Sequence, residues 1–231
     1  MLALRDVDSF YGSSHVLHGV GLEAKSGEIL AVLGRNGVGK TTLLKTVMGL
    51  TDRHTGTLEL DGTSISPMPT HLRARSGIAY VPQGREIIPD FTVRQNILMG
   101  SFARKDGKRA VPELALELFP YLAANLNRPG GVLSGGQQQQ LAIARALAAE
   151  PRVLLLDEPT EGIQPNIVEE IEAIIVRLNR EIGLTVVLVE QNVGFAREAA
   201  HAFVLIEKGR VAEAGPTADL TDALVQKHMA V

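Results

Sequence analysis

The sequence predicts an α/β fold with a largely parallel central sheet. Three observations carry this. Short continuous apolar runs recur along the chain, stretches of helical periodicity fall between them, and the first clear run opens into a glycine-rich turn followed by a helix.

Taken in order, Ile29 to Leu33 is the first run, and Lys40 to Met48 the helix that follows its turn. Thr57 to Leu60 reads as a strand closed by the turn pair Asp61-Gly62. Ile78 to Val81 is a short strand stopped by Pro82. Val153 to Leu156 and Val186 to Val189 are rich in Val and Leu without alternation, as suits strands buried on both faces. Phe203 to Ile206 is a further strand, with Lys208-Gly209 as its turn. Between them, Gln137 to Ala149 spaces Leu141, Ala144 and Ala148 along a helix ended by Pro151. Asn166 to Arg180 sets Ile167, Ile171, Ile174, Ile175 and Leu178 on one stripe. From Val93 to Arg128 there is no strand pattern, only helical ones such as Pro112 to Leu126, so this stretch reads as a helical insert. Arg104 to Arg109 is a charged, solvated connection, and Ala218 to Val231 a short closing helix with no assigned function.

Composition narrows the function. The chain has 231 residues, room for one large domain or two small ones. Aromatic residues are only 4%, with no Trp, so Leu, Val, Ile and Ala must fill the core. The net charge of -3 argues against a sequence-independent grip on nucleic acid. With no Cys, disulfide frameworks, thiolate metal sites and cysteine nucleophiles are excluded, and a reducing compartment fits. The first ten residues carry Arg5, Asp6 and Asp8 and lack the apolar run of a signal peptide. No apolar stretch approaches the ~20 residues of a membrane span, so any link to a membrane must run through a partner.

Gly34-Arg35-Asn36-Gly37-Val38-Gly39-Lys40-Thr41 matches G-x-x-x-x-G-K-[ST]. Its glycines let the backbone wrap a phosphate chain, and the following helix adds the positive end of its dipole. Lys40 would reach the β- and γ-phosphates of ATP, Thr41 would offer its hydroxyl to Mg2+, and Thr42 continues the loop into the helix. Asp157 and Glu158 close a buried parallel strand, the end at which such sheets bind ligands. Asp157 is placed to hold Mg2+ through water, and Glu158 to orient and deprotonate the attacking water. Leu133-Ser134-Gly135-Gly136-Gln137 stands before a helix and makes a second anion-binding helix N-terminus, with Ser134 also its cap. One nucleotide does not need two such ends in one chain.

With that segment the chain resembles the nucleotide-binding subunits of ABC transporters over nearly its whole length. The resemblance implies a P-loop NTPase of the ABC type, with a mainly parallel core sheet, an N-terminal antiparallel β subdomain and a helical subdomain insert. In those terms residues 1–92 and 150–231 form the nucleotide-binding core and about 93–149 the helical subdomain. Tyr11 resembles the aromatic that stacks on adenine, although a tyrosine in a surface turn, Phe10-Tyr11-Gly12, looks the same. Gln83 resembles the loop glutamine that touches Mg2+ and links the site to the membrane subunit. In the family, Ser134, Gly135, Gly136 and Gln137 close over ATP held by a second subunit. Two positions depart from the common pattern. Gln191 stands where many members carry a histidine on the γ-phosphate, and Gln164 where many carry an aspartate that communicates between sites. Glutamine can donate to phosphate but cannot carry a positive charge, and Gln191 could instead only cap the next helix.

The departures narrow the resemblance. Glu161-Gly162-Ile163-Gln164-Pro165, Val189-Glu190-Gln191-Asn192 and Tyr80 to Glu86 resemble the shorter ATPase subunit of bacterial branched-chain amino-acid importers. The ATPases of urea and short-amide importers share these motifs. The resemblance implies an ATP-hydrolysing subunit paired with a second, different ATPase, two integral membrane permeases and, indirectly, a solute-binding protein. It implies a peripheral place on the cytoplasmic face of the inner membrane. Soluble ABC proteins acting on DNA or ribosomes need coiled-coil insertions, tandem cassettes or basic surfaces, which this sequence lacks. An ATP-gated clamp with little hydrolysis is opposed by Glu158.

Overall fold

A computed structural model describes residues 1–229; the last two residues of the closing segment lie outside the described residues. The strands are β1 (Leu2–Tyr11), β2 (Ser14–Ala24), β3 (Ile29–Leu33), β4 (Arg53–His54), β5 (Thr57–Leu60), β6 (Thr63–Ser64), β7 (Ile78–Val81), β8 (Val153–Asp157), β9 (Thr185–Glu190), β10 (Ala202–Glu207) and β11 (Arg210–Pro216). The helices are α1 (Lys40–Met48), α2 (Thr70–Arg75), α3 (Val93–Gly100), α4 (Glu113–Leu118), α5 (Pro120–Ala124), α6 (Gly135–Leu147), α7 (Pro165–Ile182), α8 (Val193–Ala199) and α9 (Asp222–Met229).

Two sheets divide the strands. The main sheet runs β11-β10-β3-β9-β8-β7, parallel throughout except for the antiparallel edge strand β11. The second is antiparallel, ordered β2-β1-β5-β6 with β4 also on β1. The expected fold is therefore present. Every residue of β3, β8 and β9 is buried, which explains their unbroken apolar runs. Successive side chains alternate between faces. Leu154, Leu156, Val186 and Leu188 pack against α6 and α7. Val153, Leu155, Val187 and Val189 face α1 and the antiparallel sheet. No strand lies between β7 and β8, only helices, turns and one isolated bridge from Thr92 to Pro129, and no helix among the described residues is long and apolar enough to cross a membrane.

Local chemistry moves several expected boundaries. The helix expected over 137–149 is α6, which starts two residues earlier because Ser134 and Gln137 form a reciprocal capping box. It ends at Leu147, before Pro151 is reached, and Glu150 turns the chain with φ 48°. The helix expected over 166–180 is α7, extended by Pro165 at its first position and stopped by Gly183 in the left-handed conformation. The stretch from Pro112 to Leu126 is two helices rather than one. Phe119, at φ -126°, sits between α4 and α5, and Pro120, lacking an N–H, restarts the second.

Arg73 is 2% exposed and has no carboxylate partner among the described residues. Its guanidinium donates to the carbonyls of Thr46, Val47, Ser66 and Met68 at 2.8–2.9 Å. Two of those belong to the last turn of α1, where a cation also meets the negative end of the helix dipole. Burial draws the Arg73 pKa below its ordinary value.

Candidate nucleotide site

The glycine-rich loop spans the gap from β3 to α1. A Cβ on Gly34 would stand 2.4 Å from the Ile206 carbonyl oxygen of neighbouring β10, so only glycine lets the loop leave the sheet there. Gly39 occupies the N-cap of α1 at φ 111°, and no side chain caps that end. The first N–H groups of α1 are thus left for another acceptor, the arrangement that binds anions. Lys40 is 4% exposed. Its ammonium donates to the carbonyls of Gly34 at 2.9 Å and Arg35 at 3.1 Å, and lies 3.2 Å from Glu158 Oε1.

The carboxylates come from the end of β8, flanked by β7 and β9. Asp157 accepts from the Thr41 hydroxyl at 3.0 Å and the Tyr80 hydroxyl at 2.9 Å. Burial pushes its pKa up, and these hydrogen bonds oppose the rise. Burial, with Asp157 beside it, also raises Tyr80, which therefore stays a proton donor. Glu158 adopts φ 47°, a left-handed conformation that costs a side-chain-bearing residue about 1–2 kcal/mol. Its backbone N–H donates to the Val189 carbonyl at 3.0 Å, and Gln191 Nε2 donates to its Oε2 at 2.9 Å. Asn192, not Gln191, caps α8 by accepting from the Phe195 N–H. Gln191 is thereby released from the helix-capping role and faces Glu158.

Val16, Asn36, Gly37, Gly39, Lys40, Thr41, Thr42, Gln83 and Glu158 line one cavity of about 250 Å³. Asp157 and Gln191 reach it through hydrogen bonds to Thr41 and Glu158. Val38 packs on the core instead, and Arg35 contributes its carbonyl. Gln83 donates to Glu161 Oε2 at 2.6 Å. Tyr11 ends β1 opposite Ser14, partly exposed and outside the cavity lining. Ser134, Gly135, Gly136 and Gln137 also stand apart from this cavity. Gly136 packs so tightly on Ile167 of α7 that a Cβ would meet its Cγ2 at 2.5 Å, and the Arg85 guanidinium lies over Gly135. Gln164 sits at the N-cap of α7 without a side-chain hydrogen bond to that end.

Sequence reasoning passed over Val16, Tyr80, Thr160 and Glu190. Tyr80 was open to discovery, since β7 pairs in parallel with β8 and sets Tyr80 opposite Leu155, on the same face as Asp157 two residues on. Glu190 left one signal, a carboxylate ending an otherwise apolar strand.

The strand, glycine loop and uncapped helix, with paired carboxylates at the end of β8, two strands along the sheet, define a P-loop nucleotide-binding fold. The ABC transporter family model matches residues 17–161, and the chain belongs to that family. It is 42% identical over 212 residues to the high-affinity branched-chain amino acid transport ATP-binding protein BraG of Pseudomonas aeruginosa, covering 91% of each chain. It is 39% identical over 223 residues to the probable branched-chain amino acid transport ATP-binding protein LivF of Archaeoglobus fulgidus, covering 96% of this chain and 94% of that one. Among solved structures, the dimeric post-hydrolysis state of an ATP-binding cassette bound to ADP and Pi superposes with a TM-score of 0.80. The two are 29% identical, over 94% of this chain and 99% of the other.

Proposed function

We propose that the chain is the ATP-hydrolysing subunit of an importer for branched-chain amino acids, converting ATP and water to ADP and phosphate. The observation that carries the reading is the single cavity that joins Lys40, Thr41 and Glu158 to the open N-terminus of α1, with Asp157 on the Thr41 hydroxyl. The names of the most similar relatives supply the substrate class.

The phosphate chain lies along the amides of residues 34–41, and the Lys40 ammonium leaves its loop carbonyls for the β- and γ-phosphates. Glu158, freed from Lys40, accepts a proton from the attacking water, while the Gln191 amide orients its carboxylate. The donors near Thr41 fit Mg2+, which takes a hydroxyl, one or two carboxylates and several waters rather than a dedicated cage. Thr41 and Asp157 would hold it with Gln83 alongside; bound there, it would neutralise charge on the β- and γ-phosphates.

Ser134, Gly135, Gly136 and Gln137 serve the nucleotide of a second ATPase subunit, and Tyr11 stacks on adenine. Support comes from the separation of the Ser134 helix end from the Lys40 cavity and from the dimeric form of the ADP-bound relative. Residues 93–149 are the helical subdomain between the core segments 1–92 and 150–231. Two permease subunits hold the chain peripherally at the cytoplasmic face of the inner membrane. The exposed apolar side chains Leu50, Leu72, Met99 and Phe102 support a docking surface for them. The test is reconstitution with a second ATPase subunit, two permeases and a solute-binding protein of a branched-chain amino-acid importer. Leucine-stimulated ATP turnover is expected, and stimulation by urea alone would overturn the amino-acid assignment.

A further inference from the structure

Glu190 ends β9 with its side chain 4% exposed and no cation within salt-bridge distance among the described residues. A carboxylate so placed is expensive to bury unless its oxygens are occupied. They are. Oε1 accepts from the Thr160 hydroxyl at 2.8 Å, and Oε2 from the backbone N–H groups of Gln191 at 3.0 Å and Asn192 at 3.3 Å.

These bonds close a ring. Glu190 holds the Gln191 backbone, the Gln191 side chain donates to Glu158, and Thr160, two residues past Glu158, returns to Glu190. Gln191 is itself exposed, so its side chain stays on Glu158 only if its backbone is fixed from behind. Glu158 is further tied to β9 by its N–H on the Val189 carbonyl. An apolar residue at 190 would fill the core equally well and leave both loops free.

We infer that Glu190 is a positioning residue of the hydrolytic site, holding Gln191 against Glu158 and locking the loop after Glu158 to the loop after β9. The inference rests on the ATPase reading above. It predicts a specific pattern of turnover. Glu190→Ala lowers kcat about tenfold or more and leaves the KM for ATP within about threefold, because the displaced group acts on the attacking water. Glu190→Gln restores most of the rate. Its oxygen can accept from the two N–H groups while its NH2 donates to the Thr160 hydroxyl. Because Glu190 works through Gln191, Glu190→Ala adds nothing beyond about twofold in a Gln191→Ala background.

The experiment is steady-state phosphate release by the full chain reconstituted with its partner ATPase subunit, with ATP binding followed separately using a fluorescent ATP analogue. If Glu190→Ala does not fold, Thr160→Val deletes a single hydroxyl. It should then lower kcat in the wild-type background and not in Gln191→Ala. Wild-type kcat in Glu190→Ala, independent multiplication of the two effects, or a Glu190→Gln variant as slow as the alanine one overturns the inference alone. A wild-type reconstituted pair that turns over no ATP overturns the ATPase reading with it.

Discussion

Replacing Glu158 with Gln separates the two roles of one carboxylate, partner of Lys40 and general base. Its Oε1 lies 3.2 Å from the Lys40 ammonium, in side chains 7% and 4% exposed. ATP must therefore draw Lys40 away from a buried anion before the lysine can serve the phosphates. Glutamine keeps the shape but turns a charge-assisted contact into a neutral one. Contacts to charged groups contribute about 1.5–3 kcal/mol against about 1 for neutral ones, so the competition weakens by about 0.5–2 kcal/mol. That corresponds to ATP binding about 2–30-fold tighter. Turnover should move the other way, by about 10²–10⁴, the usual contribution of a general base. Phosphate release measures the second effect, and titration with a fluorescent ATP analogue the first. Undiminished turnover would refute Glu158 as the base. Unchanged or weaker ATP affinity would refute the competition for Lys40.

Three further perturbations test other parts of the structure. Gln191→His places a side chain able to carry charge beside Glu158 and the phosphate, and phosphate release by the reconstituted transporter should rise; an unchanged rate shows that charge at this position does not aid hydrolysis. Arg73→Met removes the guanidinium from four carbonyls, two buried and two partly buried, and should lower stability by about 3 kcal/mol or more in urea unfolding; a loss below about 1 kcal/mol contradicts the assigned role. Burial raises the Glu190 pKa above its ordinary 4.5, so the native carboxyl holds its proton where the unfolded one has released it. Its contribution is present below pH 4.5 and lost as pH rises through the raised value. The melting temperature of Glu190→Gln relative to wild type should therefore climb between that pH and neutrality, and a constant difference would refute it.

How much could be read beforehand followed from how local each signal was. The glycine loop, the Val153–Asp157 run and Leu133 to Gln137 announce themselves over a few residues, because buried parallel strands and helix N-termini impose composition directly. The hairpin of β1 and β2 gives no such signal. Its strands are half exposed, and the register shifts between Leu4 and Phe10, with Asp6 at φ 50°, break the alternation a strand would show. Tyr80 and Glu190 needed the strand register, which places residues far apart in sequence on one hydroxyl or one carboxylate. The break of 112–126 at Phe119 was legible in Pro120, but helical spacing on both sides masked it.

Arg73 carries a lesson about modularity. The strand, glycine loop and α1 look like a self-contained cassette, one that could be exchanged between relatives by cutting after Gly49. The far end of α1 is nevertheless held by a guanidinium from a later helix, which also grips the carbonyls of Ser66 and Met68. A graft ending at Gly49 would leave that charge facing foreign carbonyls. The smallest transferable unit of this phosphate-binding element therefore runs through α2, well past the motif that advertises it.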